Sequence, residues 1–573
     1  MAQLRLALGQ LNPTVGAIAD NIALALDAAR TAARGGADVL LLPEMHLTGY
    51  PIEDLALRPS FIEASRAAVT DLATSLVGDG LGDLTVVVGF LDRVPDAADA
   101  IGRPRGAPQN AVAVLHGGRV VARYAKHHLP NYGVFDEFRY FVPGTDTCVV
   151  RVRGVDVALA ICEDLWQDGG PVAEYAELRP GLLLVANGSP YERNKDDVRL
   201  ALVRRRAAEA GCTLAYLNMV GGQDELVFDG DSLVVTAHGE VLARAPQFVG
   251  GVTLVDLELP AADPEASGDA LISAGVKEPY EPLVAPVAER ISDEAEVYGA
   301  LVVGVRDYAR KNGFTGVVFG FSGGIDSSLS AAIAADALGG QNVYGVSMPS
   351  EYSSEHSKTD AADLARRLGC HYRVVPIEAM VRAFVEGLGL TGLAEENVQA
   401  RVRGTIVMGI SNSEGQLVLA NGNKSELSVG YSTIYGDAVG GFAPLKDVPK
   451  TLVWELARWR NAEAERRGET PPIPVSSIDK PPSAELRPGQ LDTDSLPDYA
   501  LLDDVLDDYV ESDHGAARLV AGGFDRALVE RVLRMTDTAE WKRRQYPPGP
   551  KVSLRSFGRD RRLPITNRWR ETL

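Results

Sequence analysis

Cysteine is scarce in this sequence: Cys148, Cys162, Cys212 and Cys370 are four residues in a chain of 573. No two of them form a CxxC pair, the spacing that many zinc and thioredoxin-like sites share. A disulfide framework is also excluded, because small secreted domains that depend on one carry far more cysteine for their length. The low cysteine content indicates a reducing compartment, and the expected location is cytoplasmic.

Positive charge and long apolar runs are also lacking. The chain carries 57 Lys and Arg against 78 Asp and Glu, a formal net charge of −21 at pH 7. That excess argues against broad docking on nucleic acid or anionic membrane, although a local cluster of donors can still bind a small anion. No run of about 18 apolar residues occurs, and the opening MAQLRLALGQLNP has no signal-peptide core. We expect a soluble protein with no nucleic acid or membrane as partner.

Core-forming residues are plentiful at 46% of the chain, and the length predicts two or more domains. Residues 260–286 are rich in Pro, Ala, Gly and acids, which indicates a linker. Short β-rich runs and alanine-rich helical stretches precede it, as is typical of a layered α/β domain. Fewer strands, with helices between them, follow it and predict a doubly wound parallel sheet. The predicted domains are 1–262 and 291–573, joined by a linker at 263–290.

A polar, Pro-rich region at 471–497 interrupts the second predicted domain. Segments of this kind form either a mobile lid over a binding site or an ordinary surface loop. The sequence does not decide between the two.

The stretch VVFGFSGGIDSSLSAAIAADAL, starting at Val317, joins an apolar strand to a small-residue helix through a glycine-serine turn. A helix N-terminus presents unpaired N–H groups and the positive end of its dipole, and glycines let the backbone close around an anion. Asp326 fits beside a phosphate if Mg²⁺ bridges the two. The lysine of a Walker loop is missing, so the pattern does not indicate γ-phosphate transfer. The alternative is a plain glycine turn with a capping Asp or Ser.

The SGGIDSS turn resembles the pyrophosphate-binding loop of the N-type ATP pyrophosphatases, which split ATP between its α and β phosphates. The resemblance implies an ATP site formed by Ser322, Gly323, Gly324, Ile325, Asp326, Ser327 and Ser328, with Asn421 beside it. Residues 417–451 and the closing EWKRRQYPPGPKVSLRSFGRDRRLPITNRW are similar to NAD synthetases. The implied reaction adenylates the nicotinate carboxylate of deamido-NAD with ATP, and ammonia then displaces AMP.

By the same resemblance, Asn397, Glu426 and Lys542 contact deamido-NAD, while Asp326 and Glu426 hold Mg²⁺. Two alternatives stay open. Glu426 and Lys424 could be an exposed pair on a helix, because residues of these types are mostly at the surface. Lys542 lies in the basic run KRR, which could be ordinary charged surface.

Three groups with catalytic chemistry stand at the ends of apolar runs in the first half of the chain. Glu44 follows ADVLLLP, Lys126 follows VVARYA and Cys162 follows VDVALAI. Strand ends are where α/β enzymes gather their functional groups. A carboxylate can deprotonate a thiol, the thiolate can attack an amide carbonyl, and an ammonium group can stabilise the oxyanion. The alternative is a buried structural cysteine, which is the role we expect for the other three thiols.

In that order and context the three residues resemble the nitrilase superfamily, whose fold is an α-β-β-α sandwich. The likeness covers about residues 1–262 and implies Glu44 as general base, Lys126 as charge stabiliser and Cys162 as nucleophile. The stretch KHHLPNYGVFDEFRYF is similar to the glutaminase domains fused to NAD synthetases. On that likeness Glu137 is an additional carboxylate near the thiol, and the glutamine contacts are Tyr132, Ser189 and Lys195.

Together the halves predict a coupled activity in which glutamine hydrolysis releases ammonia and an adenylated carboxylate consumes it. Free ammonia is mostly protonated at neutral pH, so a protected path between the sites is a hypothesis. Two rivals remain, namely a glutamine-dependent adenylating amidotransferase with another acceptor and a catalytically silent binding protein that keeps both folds. The predicted partners are glutamine, ATP and deamido-NAD, with Mg²⁺ as cofactor, and the family implies a homo-oligomer.

Overall fold

The computed structural model describes residues 1–95, 102–263 and 268–571. None of the helices in these ranges is long and apolar enough to cross a membrane. The chain divides into two compact units. Unit 1 consists of Met1–Gln223 and Phe228–Ile291, and unit 2 of Asp224–Val227 with the chain from Ser292 onward.

The strands up to Ile291 are short and regularly spaced. They are β1 (Ala2–Gln10), β2 (Val39–Leu41), β3 (Thr85–Arg93), β4 (Pro108–His116), β5 (Arg119–Ala125), β6 (Val149–Val152), β7 (Val155–Ile161), β8 (Leu182–Asn187), β9 (Thr213–Asn218), β10 (Val220–Gln223), β11 (Leu226–Asp229), β12 (Leu233–Val235), β13 (Val241–Arg244), β14 (Gly251–Leu259) and β15 (Ala270–Leu271). The helices of the same part are α1 (Ile18–Arg34), α2 (Pro59–Gly78), α3 (Gly170–Leu178) and α4 (Lys195–Ala210).

Two sheets organise unit 1. One has six strands in the order β14-β1-β2-β3-β4-β5, and the other has seven in the order β13-β12-β9-β8-β7-β6-β15. β1, β2 and β3 are parallel to one another, as are β7, β8 and β9. The carboxyl ends of these central strands therefore collect at one edge of each sheet.

The alternation of side chains along the strands separates three apolar layers. Leu6 and Leu8 of β1 pack with Leu159 and Ile161 of β7 in the core between the sheets. Ala7 faces the opposite way, into a second core formed with α1 and α2. A third core joins the second sheet to α3 and α4. These layers form an α-β-β-α sandwich, so the predicted fold is confirmed for this unit.

Unit 2 is built on a small parallel sheet and many helices. Its strands are β16 (Val317–Gly320), β17 (Val343–Ser347), β18 (His371–Val374) and β19 (Leu417–Val418). Its helices are α5 (Asp293–Lys311), α6 (Ile325–Leu338), α7 (Glu355–Leu368), α8 (Glu378–Leu388), α9 (Leu393–Glu414), α10 (Lys424–Val429), α11 (Lys450–Arg466), α12 (Val475–Asp479), α13 (Tyr499–Leu506), α14 (Ala516–Ala521), α15 (Arg526–Thr538) and α16 (Glu540–Arg543).

The sheet of unit 2 has the order β18-β17-β16-β19, with every neighbouring pair parallel. Val318, Val346 and Val418 cover one face and pack on Val407 of α9. Strand order reverses direction about β16, which places a topological switch point at the carboxyl end of that strand. The predicted doubly wound parallel sheet is confirmed.

The segment predicted as a linker is ordered along unit 1 where the structure describes it. β15 adds to the edge of the second sheet by pairing with β6. Beyond it, Lys277 Nζ lies 3.1 Å from Asp38 Oδ2, and Tyr280 N donates to Gln3 Oε1 at 2.9 Å. An extended chain with these contacts matches the low helical content of its Pro-rich sequence.

Candidate active sites

The first candidate site lies at the strand ends of unit 1. Glu44 comes shortly after β2, Lys126 directly after β5 and Cys162 directly after β7. All three are buried, with exposed fractions of 0%, 1% and 3%. Lys126 Nζ donates to Glu44 Oε1 at 2.8 Å and lies 3.0 Å from Glu137 Oε2. The predicted carboxylate, ammonium and additional carboxylate are thus in direct contact.

Glu44 is held by three donors from different elements. Besides Lys126, Asn110 Nδ2 donates to Oε1 at 2.7 Å and the Gly188 backbone N–H donates to Oε2 at 2.7 Å. A fully buried carboxylate needs such partners to remain charged without a large desolvation cost. Asn110 was not predicted from the sequence, since a lone Asn in a strand gives no signal of this contact.

Two carboxylates keep Lys126 in its ammonium form. Burial alone would lower the pKa of Lys126, but Glu137 and Glu44 outweigh it and hold the pKa well above its ordinary value. Burial raises the pKa of Glu137 against the opposing effect of Lys126, and the Tyr50 hydroxyl donates to Glu137 Oε1 at 2.9 Å. The cluster therefore offers a fixed positive charge with two acidic neighbours.

Cys162 occupies a backbone conformation that side chains avoid. Its φ is +42°, in the left-handed region, a strained geometry that persists only where the surroundings enforce it. Burial, and then Glu44, raises the pKa of the Cys162 thiol, while Lys126 acts in the opposite sense. A thiol in this state requires a base to become a nucleophile, and Glu44 is the acidic side chain with the largest electrostatic effect on it.

Of the residues predicted to contact glutamine, Ser189 and Tyr132 are linked to residues next to this cluster, and Lys195 has other partners. Ser189 follows Gly188, whose N–H binds Glu44, and its own N–H donates to Asn218 Oδ1 at 2.9 Å. The Tyr132 hydroxyl donates at 2.9 Å to Oε2 of Glu163, the residue that directly follows Cys162 in the chain. Lys195 opens α4, where its Nζ donates to the Pro190 carbonyl at 2.9 Å. Glu163 was missed by sequence reasoning, although its place directly after Cys162 could have drawn attention to it.

The second candidate site is a cavity of about 710 Å³ in unit 2, at the carboxyl end of β16. This volume is within the range of small-ligand and cofactor sites. The predicted residues that line it are Ser322, Gly324, Ile325, Asp326, Ser327, Asn397, Asn421, Glu426 and Lys542. Gly323 and Ser328 are not among the described lining residues. The structure thus brings together most of the predicted ATP residues with the predicted deamido-NAD residues. Ser328 supports the turn, because its hydroxyl donates to the Gly324 carbonyl at 2.9 Å.

Backbone geometry explains the glycines of this turn. Gly323 has φ +76°, and a Cβ there would lie 2.3 Å from the Ser357 carbonyl oxygen. Ser322 Oγ and Ser327 Oγ are 2.9 Å apart, and the Gly324 N–H donates to Ser322 Oγ at 3.2 Å. The turn therefore opens α6 with a compact ring of hydroxyl and N–H donors, a suitable surface for an anion.

The two carboxylates predicted to hold Mg²⁺ are bridged by a lysine that the sequence did not single out. Lys450 Nζ contacts Asp326 Oδ2 and lies 3.2 Å from Glu426 Oε1. Burial would lower the pKa of Lys450, but Asp326 and Glu426 outweigh it and raise that pKa. Asn423 links the same pair, because its Nδ2 donates to Asp326 and its Oδ1 accepts from the Glu426 N–H.

The donor set fits a magnesium ion held mainly by phosphate. Among the described residues no group of three or more His, Cys, Asp or Glu side chains is placed to hold a metal. Mg²⁺ nevertheless needs only one or two protein carboxylates when phosphate oxygens and water complete its shell. Asp326 and Glu426 both line the cavity and would supply those two carboxylates.

The remaining predicted residues lie around the same cavity. Asn421 Nδ2 donates to the Gly320 carbonyl at 3.2 Å, and its buried Oδ1 has no protein partner. Asn397 Oδ1 accepts from the Thr433 hydroxyl at 2.7 Å. Lys542 Nζ donates to the Gly430 carbonyl at 2.8 Å, so its alternative as plain surface charge is wrong.

The alternative for Lys424 and Glu426 as an exposed helix pair is also wrong. Lys424 is 5% exposed and lies 2.7 Å from Glu511 and 3.0 Å from Asp447. These ion pairs fix α10, which carries Glu426 on its cavity side.

The Pro-rich region 471–497 also contributes to the cavity wall. Lys480, Glu485 and Arg487 are among its lining residues. Glu485 lies 2.6 Å from Lys480 Nζ and accepts from the Ser357 hydroxyl at 2.9 Å. The region therefore forms part of the cavity wall, and its role as a mobile lid stays a prediction.

Comparison with known proteins finds a family match in each half of the chain. Residues 5–264 match the family described as carbon-nitrogen hydrolase, and residues 297–546 match the family described as NAD synthase. The glutamine-dependent NAD(+) synthetase of Rhodobacter capsulatus is 47% identical over 584 residues, covering 99% of each chain. That of Acinetobacter baylyi is 41% identical over 577 residues, covering 100% of this chain and 99% of that protein.

A solved structure extends the likeness to three dimensions. It is the glutamine-dependent NAD+ synthetase from Acinetobacter baumannii in complex with ADP, with a TM-score of 0.74 and 39% identity over 100% of both chains. An identity of this size over the whole length, with one candidate site in each matched region, shows that the chain belongs to the glutamine-dependent NAD(+) synthetase family.

Proposed function

We propose that unit 1 hydrolyses glutamine to glutamate and ammonia with Cys162 as nucleophile. Glu44 accepts the thiol proton, and the thiolate attacks the side-chain amide carbon. Lys126 stabilises the oxyanion that develops, and Glu44 returns the proton to the departing ammonia. Water then attacks the thioester, with Glu44 again as base, and releases glutamate. Tyr132, Ser189 and Lys195 position the substrate.

Unit 2 in this proposal activates the nicotinate carboxylate of deamido-NAD with ATP. A carboxylate oxygen attacks the α-phosphorus, and the donors of Ser322, Gly324 and Ser327 hold the departing pyrophosphate. Ammonia attacks the acyl carbon, loses a proton and expels AMP, which gives NAD. Asn397 and Lys542 line the cavity, and in this proposal they contact the dinucleotide. The relative from Acinetobacter baumannii was solved with ADP, which supports ATP as the adenylating substrate.

Mg²⁺ is part of the proposal and would be held by Asp326 and Glu426 together with phosphate oxygens. It would neutralise charge on the pyrophosphate as that group leaves. Lys450, which contacts both carboxylates, supplies a fixed positive charge at the same place.

The observation that carries the proposal is the presence, in one chain, of a buried Glu-Lys-Cys cluster and a cavity walled by an anion-binding turn. The test is a product balance with glutamine, ATP and deamido-NAD as substrates. Equal amounts of NAD, AMP and pyrophosphate are expected, with at least as much glutamate. Consumption of ATP without NAD, or a higher rate with a different carboxylate as acceptor, would overturn the acceptor assignment in favour of another adenylating amidotransferase.

Two further properties are proposed on the family and on surface features. A homo-oligomer is supported by exposed apolar side chains on α8, among them Met380, Phe384 and Leu388, and light scattering at defined concentration tests it. A cytoplasmic location is supported by the four free thiols, and fractionation of the source cells tests it.

A further inference from the structure

The residue two places after the nucleophile is an aspartate with a saturated set of donors. Asp164 is fully buried, with 0% of its surface exposed. Its Oδ1 accepts from the backbone N–H of His127 at 3.1 Å and of His128 at 2.8 Å. Its Oδ2 accepts from the Tyr124 hydroxyl at 2.7 Å and from the Ile161 N–H at 2.9 Å.

These four donors come from two separate parts of unit 1. Ile161 ends β7 and immediately precedes Cys162, whereas Tyr124, His127 and His128 surround Lys126 at the end of β5. The two strands belong to different sheets of the sandwich. One carboxylate therefore ties the turn that carries the thiol to the segment that carries the ammonium group.

A simple turn cap does not explain this arrangement. An Asp at the third position of a turn commonly accepts a hydrogen bond from the backbone N–H that precedes the turn. Only the bond from the Ile161 N–H is of this kind. The N–H groups of His127 and His128 lie 37 and 36 residues away in the chain. Binding them adds nothing to the local turn, but it fixes the separation between the sheets at the catalytic cluster.

The strained backbone at Cys162 gives a physical reason for the link that Asp164 makes between the two segments. Its φ of +42° needs external enforcement, and Asp164 holds the residue before it while sitting within the same turn. Displacing a reacting group by about 1 Å can cost roughly 100-fold in rate. A fixed separation between Sγ and the Lys126 ammonium therefore matters for both thiolate formation and oxyanion stabilisation.

We propose that Asp164 is a positioning residue for glutamine hydrolysis, because its carboxylate joins the Cys162 turn to the Lys126 segment. This inference rests on the proposed glutaminase role of unit 1. It assigns Asp164 no contact with glutamine and no proton transfer. All four hydrogen-bond partners of Asp164 are donors, so both side-chain oxygens must act as acceptors.

The test uses Asp164→Asn, which keeps the shape but turns one acceptor oxygen into an NH₂ group facing N–H donors. We expect kcat for glutamine-driven NAD formation to fall by about 10- to 100-fold, with KM for glutamine nearly unchanged. Ammonium-driven synthesis in unit 2 should stay at the wild-type rate. Tyr124→Phe removes one of the four bonds and should lower glutamine-driven kcat by a few fold.

A second readout separates positioning from general loss of structure. The rate of Cys162 alkylation by iodoacetamide is measured against pH in wild type, Tyr124→Phe and Asp164→Asn. The midpoint should rise by about one unit in Asp164→Asn, because the thiolate loses its fixed distance from Lys126. Asp256→Asn is the matched control, because the Asp256 carboxylate on β14 also binds a backbone N–H and an arginine but lies outside the site. This substitution should leave the alkylation midpoint unchanged.

Wild-type kcat and an unshifted alkylation midpoint in Asp164→Asn would overturn the inference. If Asp164→Asn also loses ammonium-driven synthesis, its fold has failed. The alkylation midpoint and the glutamine-driven kcat of Tyr124→Phe then provide the test. If neither value changes from wild type, the inference is overturned. A wild-type enzyme that makes no NAD from glutamine would defeat the proposed function instead. The alkylation midpoints would still decide whether Asp164 fixes the thiol beside Lys126.

Discussion

Lys450 places a buried positive charge between Asp326 and Glu426. In the proposed reaction, negative charge accumulates at this place as pyrophosphate leaves. Lys450→Met removes that charge and leaves two carboxylates facing each other and the phosphates. We expect NAD formation to fall by about 100-fold or more with either nitrogen donor. Glutamate release by unit 1, measured in the same samples, should continue.

The charge-preserving variant Lys450→Arg is the control for this change. It should recover part of the synthesis lost in Lys450→Met, because the position keeps a cation near both carboxylates. Wild-type ammonium-driven synthesis in Lys450→Met would show that the charge has no part in the reaction.

His46 makes the stability of unit 1 depend on pH. The ring is fully buried, its Nδ1 has no protein partner, and burial lowers the pKa of His46 to about 4 from 6.5. Because the unfolded state binds the proton more readily, stability is complete above pH 6.5 and is lost as pH falls towards 4. At pH 5 the loss amounts to about 2 kcal/mol.

Melting temperatures at pH 7 and pH 5 measure this effect. The wild type should lose several degrees more between the two values than His46→Gln, which cannot take up a proton. His238→Gln, at an exposed position, serves as the control and should behave like wild type. An equal drop in wild type and His46→Gln would rule out His46 as the titrating group.

Single functional residues were predictable from sequence where a side chain with catalytic chemistry directly follows an apolar run. Glu44, Lys126 and Cys162 meet that condition, and the structure brings Lys126 into contact with Glu44. Lys450 and Asp164 do not, because their importance comes from partners distant in the chain. Long-range contacts of this kind leave no local pattern in the sequence.

The turn between β16 and α6 shows what one element requires of its backbone. At Gly323 a Cβ would lie 2.3 Å from a backbone oxygen, and φ is +76°. Gly323→Ala must therefore displace the turn, and we expect at least a tenfold loss of NAD formation from ammonium, together with a lower melting temperature. Glutamate release by unit 1 should be retained.

Gly409→Ala is the matched control for this substitution. Gly409 lies inside α9 with nothing near its Cβ position, so alanine should raise stability by about 0.5–1 kcal/mol and leave synthesis unchanged. Full activity in Gly323→Ala would mean that the turn tolerates displacement and does not hold pyrophosphate as proposed.

At the scale of elements, strands were the easier part of the prediction. The apolar runs that form β7, β8 and β16 are fully or almost fully buried, which makes them visible in sequence. The two-residue strand β15 was not predicted, because its pairing with β6 depends on the sheet edge and not on its own composition. The wall formed by 471–497 was left open for the same reason, since its order comes from contacts such as that of Glu485 with Ser357.

The proposed function requires the whole molecule to bind anionic substrates in spite of its charge of −21. Local donors make this possible, namely the N-terminus of α6 and the cations that line the cavity, among them Lys450, Lys480 and Lys542. Composition therefore excluded nucleic acid as an expected partner without excluding a nucleotide. Total charge predicts the far field of a protein, whereas binding depends on the groups within a few ångströms.

In the proposed function the two units divide the reaction, since unit 1 makes ammonia from glutamine and unit 2 uses ammonia to make NAD. The most direct measurement is NAD formation from deamido-NAD and ATP by wild type and Cys162→Ala, with glutamine or ammonium as nitrogen donor. Cys162→Ala should lose synthesis from glutamine and keep synthesis from ammonium. Equal activity of the variant with glutamine, or no synthesis from ammonium in either protein, would contradict this division.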